Sequence, residues 1–362
     1  MTRRWLIVAI TALAFGVTPV AIANRPIGDV ATNGDVGAVE LASRVAGSAG
    51  VPWSGFVQSS GSLQVPDADT FTTLSQLLGE DTDLRVWWRR ANDWRVARIR
   101  STGETDLFRQ RGFSIRWIFE SESATISPAS SVRLPDESDF LPPKLARSLL
   151  DGATAAELTR LPARRVAGVD APGLRLVPAA AGSTIARVDL WVDPATGLAL
   201  RVAVYGVGED RPVLTTTVQD LDRSEPTAVT TDFDPAESTE VRYDESVDLA
   251  AAANAHAPDN LPATVAGFSS RTAADPGAVG VYGHGPTRIL VLPLRGQVAG
   301  TLRERLRASA AVEETSAGTL AATGPLGLLL TRRTQARGAF LIAGTVDADT
   351  LRRVADDLAG VS

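Results

Sequence analysis

The chain has 362 residues, 44% apolar and 22% charged, with 31 Gly, 21 Pro and no Cys, as expected for a globular protein of one large or two medium domains. The lack of Cys excludes thiol catalysis, thiolate zinc sites, disulfides and a lipidated N-terminal cysteine, and only His256, His284 and Lys144 remain for proton chemistry near neutral pH, which argues against an enzyme. A net charge of −6 excludes a general nucleic-acid binder, because phosphate contacts need a basic surface.

The N-terminus begins with Arg3 and Arg4, continues through the apolar run Trp5 to Phe15 and the helix breakers Gly16 and Pro19, and reaches Ala21-Ile22-Ala23. A basic start, a short apolar stretch and a small-x-small site describe a secretory signal peptide over residues 1–23, cleaved near Ala23. The alternative is an uncleaved anchor, since Trp5 to Ala23 nearly suffices to span a bilayer. Either way the chain is expected to work outside the cytoplasm, in the periplasm or its equivalent, peripheral to the membrane.

Asp35 to Gly47 has the apolar spacing of an amphipathic helix, Trp53 to Val65 reads as extended, and Phe71 to Leu78 as a short helix. Leu84 to Arg89, Trp94 to Ser101, Thr105 to Arg109, Phe113 to Glu120 and Ser123 to Pro128 are strand-length runs separated by short turns at Asn92-Asp93, Thr102-Gly103, Arg111-Gly112 and Ser121-Glu122, which forces an antiparallel meander. Phe113, Ile115, Trp117 and Phe119 alternate with Ser114, Arg116 and Ile118, so one face is expected to be apolar and the other mostly wet. Pro143 to Leu150 and Thr154 to Leu161 read as helices, the second ended by Pro162. A second meander follows over Gly173 to Val177, Ile185 to Val192, Leu198 to Tyr205 and Val213 to Asp220, turning through Asp193-Pro194-Ala195-Thr196-Gly197.

Residues 224–263, rich in Asp, Glu, Ser, Thr and Ala, read as a connecting segment. A smaller unit over 264–362 then shows strands at Ala278 to Tyr282, Thr287 to Leu292, Thr319 to Thr323, Leu326 to Arg332 and Ala339 to Ala343. Its helices are Val298 to Ser309 and Asp347 to Leu358, the latter capped by Asp347 or Asp349. From Leu261 onward eleven Arg face eight acidic residues. Arg303, Arg305 and Arg307 are therefore candidates for contact with an acidic partner or lipid head group, against the plainer reading of a solvated helix face.

No phosphate loop, HExxH, GxSxG or EF-hand spacing occurs, and no catalytic residue, metal or cofactor is implied. The tryptophans are the unusual constellation: outside the leader, Trp53, Trp87, Trp88, Trp94, Trp117 and Trp191 all fall in the first, strand-rich unit. They are either core or the lining of a concave sheet that takes a ligand, for which an acyl chain has the simplest matching shape.

The segments Val86-Trp87-Trp88 and Trp94-Arg95-Val96, the run Phe113 to Phe119, and the hairpin Leu190-Trp191-Val192-Asp193 to Gly197-Leu198 resemble the LolA/LolB lipoprotein-carrier superfamily. With Val281-Tyr282-Gly283-His284-Gly285 leading into Ile289 to Pro293, and Phe340 to Val346 leading into the last helix, the whole chain is similar to the MucB/RseB family of periplasmic sigma-factor regulators. The resemblance implies an α+β chain. A large half-open antiparallel β-barrel with plugging helices would occupy 35–223, followed by the smaller α+β C-terminal domain. It implies binding of an acyl chain or lipoprotein, with Trp88, Phe113, Ile115, Trp117, Phe119, Leu190, Leu198, Leu200 and Val202 as candidates for the lipid cavity, and binding of a membrane anti-sigma factor. A lipoprotein or lipid carrier is the alternative function.

Overall fold

In the computed structural model the chain is described at residues 29–30, 36–63, 72–128, 135–243, 261–271, 279–294, 296–308, 311–332 and 339–360. The leader 1–23, its cleavage site and His256 lie outside these residues. The first elements are β1 (Asp29–Val30), α1 (Ala38–Gly47), β2 (Trp53–Gly61) and α2 (Thr72–Gly79). The meander follows as β3 (Asp81–Arg90), β4 (Asp93–Arg100), β5 (Gly103–Gln110), β6 (Phe113–Ile118) and β7 (Ser123–Pro128). Between β5 and β6, Arg111 and Gly112 both have positive φ (51° and 82°), the geometry that matches a two-residue turn to the twist of its strands.

Helix α3 (Pro142–Leu150) starts with two prolines, placed where a missing N–H costs nothing. The helix expected over Thr154 to Leu161 is instead one 3₁₀ turn followed by β8 (Leu158–Val166). The Glu157 carboxylate accepts bonds from the Thr154 N–H (2.8 Å) and hydroxyl (2.9 Å) and from the Ala179 N–H (2.8 Å), closing the turn before a second can form. Pro162 sits inside β8 where the register with its neighbour breaks, so no ladder bond is lost.

The second meander is β9 (Val169–Leu176), β10 (Ile185–Val192), β11 (Ala199–Gly206) and β12 (Leu214–Asp222). Antiparallel pairing of β12 with β2 joins the two meanders into one sheet of 13 strands, ordered β1-β8-β9-β10-β11-β12-β2-β3-β4-β5-β6-β7-β13. Its last strand, β13 (Glu240–Tyr243), comes from the segment read as a connection and pairs in parallel with β7 after the short helix α4 (Ala228–Thr231). The expected half-open antiparallel barrel is therefore corrected: the sheet is mixed and open. Among the described residues no pairing joins its edges: the returning chain adds β13 beside β7, and β7 is not brought round to β1.

The remaining strands are β14 (Thr264–Val265), β15 (Phe268–Ser269), β16 (Gly280–His284) and β17 (Thr287–Leu294), then α5 (Gly296–Arg307). After them come β18 (Val312–Glu314), β19 (Gly318–Thr323), β20 (Leu326–Thr331), β21 (Ala339–Gly344) and α6 (Ala348–Gly360). A six-stranded sheet, β16-β17-β21-β20-β19-β18, is covered on one face by α5 through Ala299 and Leu306 and on the other by α6 through Leu351, Val354 and Leu358. Of the two expected caps for α6 it is Asp347 that acts, its carboxylate accepting from the Thr350 N–H at 2.8 Å.

Candidate functional site

Strand register gives the large sheet one inner face. Trp53 pairs with Trp88 and Trp88 with Trp94, setting three indoles in a row across β2, β3 and β4, with Trp88 and Trp94 stacked at 5.4 Å and 5°. All three are buried; Trp88 Nε1 donates to the Ala49 carbonyl (3.2 Å) and Trp94 Nε1 to that of Ala91 (3.1 Å), so their polar ends are satisfied. Farther along the same face Leu190 pairs with Val202. Both are fully buried in a cluster with Leu41 and Val45 of α1 and Ala146 and Leu150 of α3. Leu198 and Leu200 pack in the adjoining cluster with Trp53, Trp88, Trp191 and Leu141. Trp88, Leu190, Leu198, Leu200 and Val202 thus lie in two adjoining buried clusters on this face, packed against the roof that α1 and α3 form.

The four candidates from the third hairpin lie elsewhere. Because Leu107 pairs with Arg116 and Phe108 with Ile115, it is Ser114 and Arg116 that share the inner face, and Phe113, Ile115 and Trp117 point to the outer one. There Ile115 and Trp117 pack with Phe108, Ala124, Ile126, Phe233 and Val241, covered by the chain that leads into β13. Phe113 is 44% exposed and Phe119, beyond the end of β6, 65%. Inside, Arg116 makes two hydrogen bonds, 3.0 and 2.9 Å, to the buried Glu137 carboxylate. Burial pushes the Glu137 carboxyl up, but the Arg116 charge and these bonds hold it below the usual carboxylate range.

A narrow cleft at the edge of the roof is lined by Ser48, Trp53, Trp88, Leu141, Pro143, Lys144 and Arg147. Sequence reading did not assemble this group. Its one signal was that Lys144 is the only lysine in the chain, one turn before Arg147 on a helix that begins with Pro. Of the candidates for partner contact, Arg303 and Arg307 are bonded within the fold to the Thr331 carbonyl (2.7 Å) and to Glu314 (2.7 Å), and Arg305 is engaged within the chain as well. Among the described residues no three His, Asp or Glu side chains converge as a metal site, and no helix is long and apolar enough to cross a membrane.

No family model matches the sequence, and no curated protein matches it. Solved structures similar to this one include the MucA/MucB complex of Pseudomonas aeruginosa, at 17% identity and a TM-score of 0.48, covering 88% of this chain and 96% of that one. An uncharacterised conserved protein from Thermus thermophilus is similar at 14% identity and a TM-score of 0.35, covering 57% of this chain and 99% of that one. A LolA-superfamily protein from Nitrosomonas europaea is similar at 12% identity and 0.23, covering 55% and 98%. The likeness to MucB and to LolA-superfamily proteins is distant.

Proposed function

We propose that this chain is an exported, non-catalytic binding protein that takes an acyl chain, free or carried by a lipoprotein, between the inner face of the large sheet and its helical roof, and that it acts as a regulator toward a membrane anti-sigma factor. The observation that carries the lipid half is the roof itself. Helices α1 and α3 have ten and nine residues and no side-chain cap at either N-terminus. Helices this short are marginal alone and owe their place to apolar contact with the sheet. An acyl chain offers Leu190, Leu200 and Val202 the same kind of contact, so exchanging roof for ligand costs little apolar burial.

The partner half rests on the sequence resemblance at Val281 to Gly285 and Phe340 to Val346. Extraction of the purified protein with organic solvent followed by mass spectrometry, together with titration of a fluorescent fatty acid, tests the lipid reading. Absence of both extracted lipid and probe binding sinks it. Affinity capture from the native envelope separates regulator from carrier: an anti-sigma factor supports the first, lipoproteins alone the second.

A further inference from the structure

On β9 to β12 the residues that alternate with Leu190 and Val202 form the opposite, outer face of the sheet. There Asp189 pairs with Arg175, Arg187 with Tyr205, Trp191 with Arg201, and Arg201 with Thr217. The cations are laid flat on aromatic rings. The Arg187 guanidinium lies 3.7 Å from the centre of the Tyr205 ring, and Arg164 and Arg201 share the buried indole of Trp191 at 4.4 and 6.0 Å. Their counter-ions are few. Asp189 is taken by Arg175 through bonds of 2.7 and 2.8 Å and stands 3.8 Å from Arg187. Asp29 is opposite Arg164 in the β1–β8 backbone register, so the charge left over is that of Arg187 and Arg201. Arg201 donates to the Thr217 hydroxyl at 2.8 Å and has no carboxylate partner among the described residues. Burial lowers its pKa, and the like charge of Arg164 lowers it further. The Nε of Arg187 and that of Arg201 are both without a hydrogen-bond partner among the described residues. Two guanidinia over one indole repel each other, and an anion arriving beside them relieves that cost.

We propose that this outer face docks an extended acidic segment of a partner protein, whose Asp or Glu carboxylates pair with Arg187 and Arg201. The inference goes beyond the reading above, which assigns no surface to a partner, and it stands whether or not a lipid binds. Charge complementarity selects the occupant: an excess of Arg is gathered on one face of a chain whose net charge is −6. Arg175, Arg187, Arg201 and Tyr205 are half-exposed, so the donors can be reached. Each guanidinium is a planar fork that fits a carboxylate with two bonds, and stacking has already ordered it, so little freedom is lost on docking. An extended chain laid along β11 turns every second side chain to the sheet, at the same repeat of about 7 Å that β11 itself has. Acidic residues four apart therefore reach Arg201 at one end and Arg187, beside Tyr205, at the other. A bilayer is the poorer occupant, because such a face needs aromatic or aliphatic side chains that project into the lipid. Here the indole is 4% exposed and lies beneath Arg164.

The test uses the whole exported chain. Fluorescence anisotropy follows a labelled peptide of alternating Glu and Thr and a second of alternating Lys and Thr, and co-sedimentation follows vesicles of phosphatidylglycerol. The acidic peptide is expected to bind and the basic one not, and binding should weaken at high salt, a readout in the unaltered protein that depends on no variant folding. Arg187→Gln and Arg201→Gln should each weaken it about tenfold, the effect of one charge-assisted bond pair. Arg307→Gln, on the Arg-bearing helix α5, should leave it unchanged. The fluorescent fatty acid should bind all these variants as it binds the unaltered protein, so failure here and failure of the acyl-binding reading are told apart. Absence of acidic-peptide binding, equal binding of the basic peptide, or binding that survives both Arg187→Gln and Arg201→Gln overturns the inference. So does a loss as large in Arg307→Gln. Vesicle binding that Arg201→Gln abolishes, with no binding of the acidic peptide, overturns it in favour of a membrane.

Discussion

Arg288 of β17 reaches across from the six-stranded sheet to the end of α3, donating to the Ser148 carbonyl at 2.6 Å and to the Ser148 hydroxyl at 3.0 Å. Next to it Arg271 pairs with Asp151 at 2.6 Å, and the 182–184 loop exchanges backbone bonds with Thr345 and Asp347. The helix that roofs the apolar face is therefore the same one that docks the smaller sheet. Burial lowers the Arg288 pKa, so part of its favourable bonding is spent on desolvation. Arg288→Ala is expected to lower unfolding stability by about 1–3 kcal/mol, the cost of leaving that carbonyl short of its partner, measured by urea denaturation. An unchanged midpoint would show that the contact is not formed in solution.

A second expectation concerns three hydroxyls. Thr216 pairs with Ser59 and Ser59 with Thr82, a row across β12, β2 and β3 on the inner face; all are at most 3% exposed and none has a hydrogen-bond partner among the described residues. Orphan buried hydroxyls are costly, and Val has nearly the shape of Thr without that cost. Thr216→Val and Thr82→Val should each stabilise the protein by about 1 kcal/mol, read as a raised denaturation midpoint. A loss of stability in both would mean that ordered water already serves the row.

These two sites also mark what the sequence could and could not reveal. Most helices and strands were legible from period and turn chemistry, and the hairpins from their short polar or Gly-containing turns. The strand at Leu158 was not, because Glu157 and Pro162 signal a helix start and stop whose meaning changes once Ala179 and the β8–β9 register break are in view. The face of β6 was not legible either. Its alternation is plain, but which side is inner depends on pairing with β5, where Leu107 and Phe108 are both buried and so give no local preference. Phe233, more than a hundred residues along the chain, is what makes the outer side apolar. The Arg147 cleft depends on α1, β2, β3 and α3 meeting, which no local pattern encodes.

Stability should also depend on one carboxyl of the outer face. Asp106 is 3% exposed; burial pushes its pKa up to about 6 from 3.8, outweighing the pull of Arg95, whose guanidinium donates to it at 2.7 Å. An acid whose folded pKa is raised binds its proton more tightly folded than unfolded, so its contribution is most favourable below the unfolded pKa. That contribution is lost as pH rises from about 4 to about 6, and the loss is on the order of 2–3 kcal/mol. Asp106→Asn cannot titrate. The difference in urea stability between pH 4 and pH 7 should shrink by that amount in the variant, and an identical pH profile in both proteins would refute the assignment.

The two faces of the sheet can finally be told apart by substitution. Phe113 and Phe119 are large, aromatic and exposed, and Leu190 is fully buried under α1 and α3. Phe113→Ser or Phe119→Ser removes little packing and should change stability by no more than about 0.5 kcal/mol, as surface substitutions do. Neither should alter binding of a fluorescent fatty acid, because Phe113 points to the outer face and Phe119 is largely exposed beyond the end of β6. Leu190→Ala should cost about 2–5 kcal/mol of stability, the range for a truncated core leucine. The milder Leu190→Met, which keeps the volume, should leave the protein folded while changing the affinity for the same probe. Loss of probe binding in the Phe113 or Phe119 variants, with none in Leu190→Met, would move the ligand to the outer face and leave the roof as a plain structural cover.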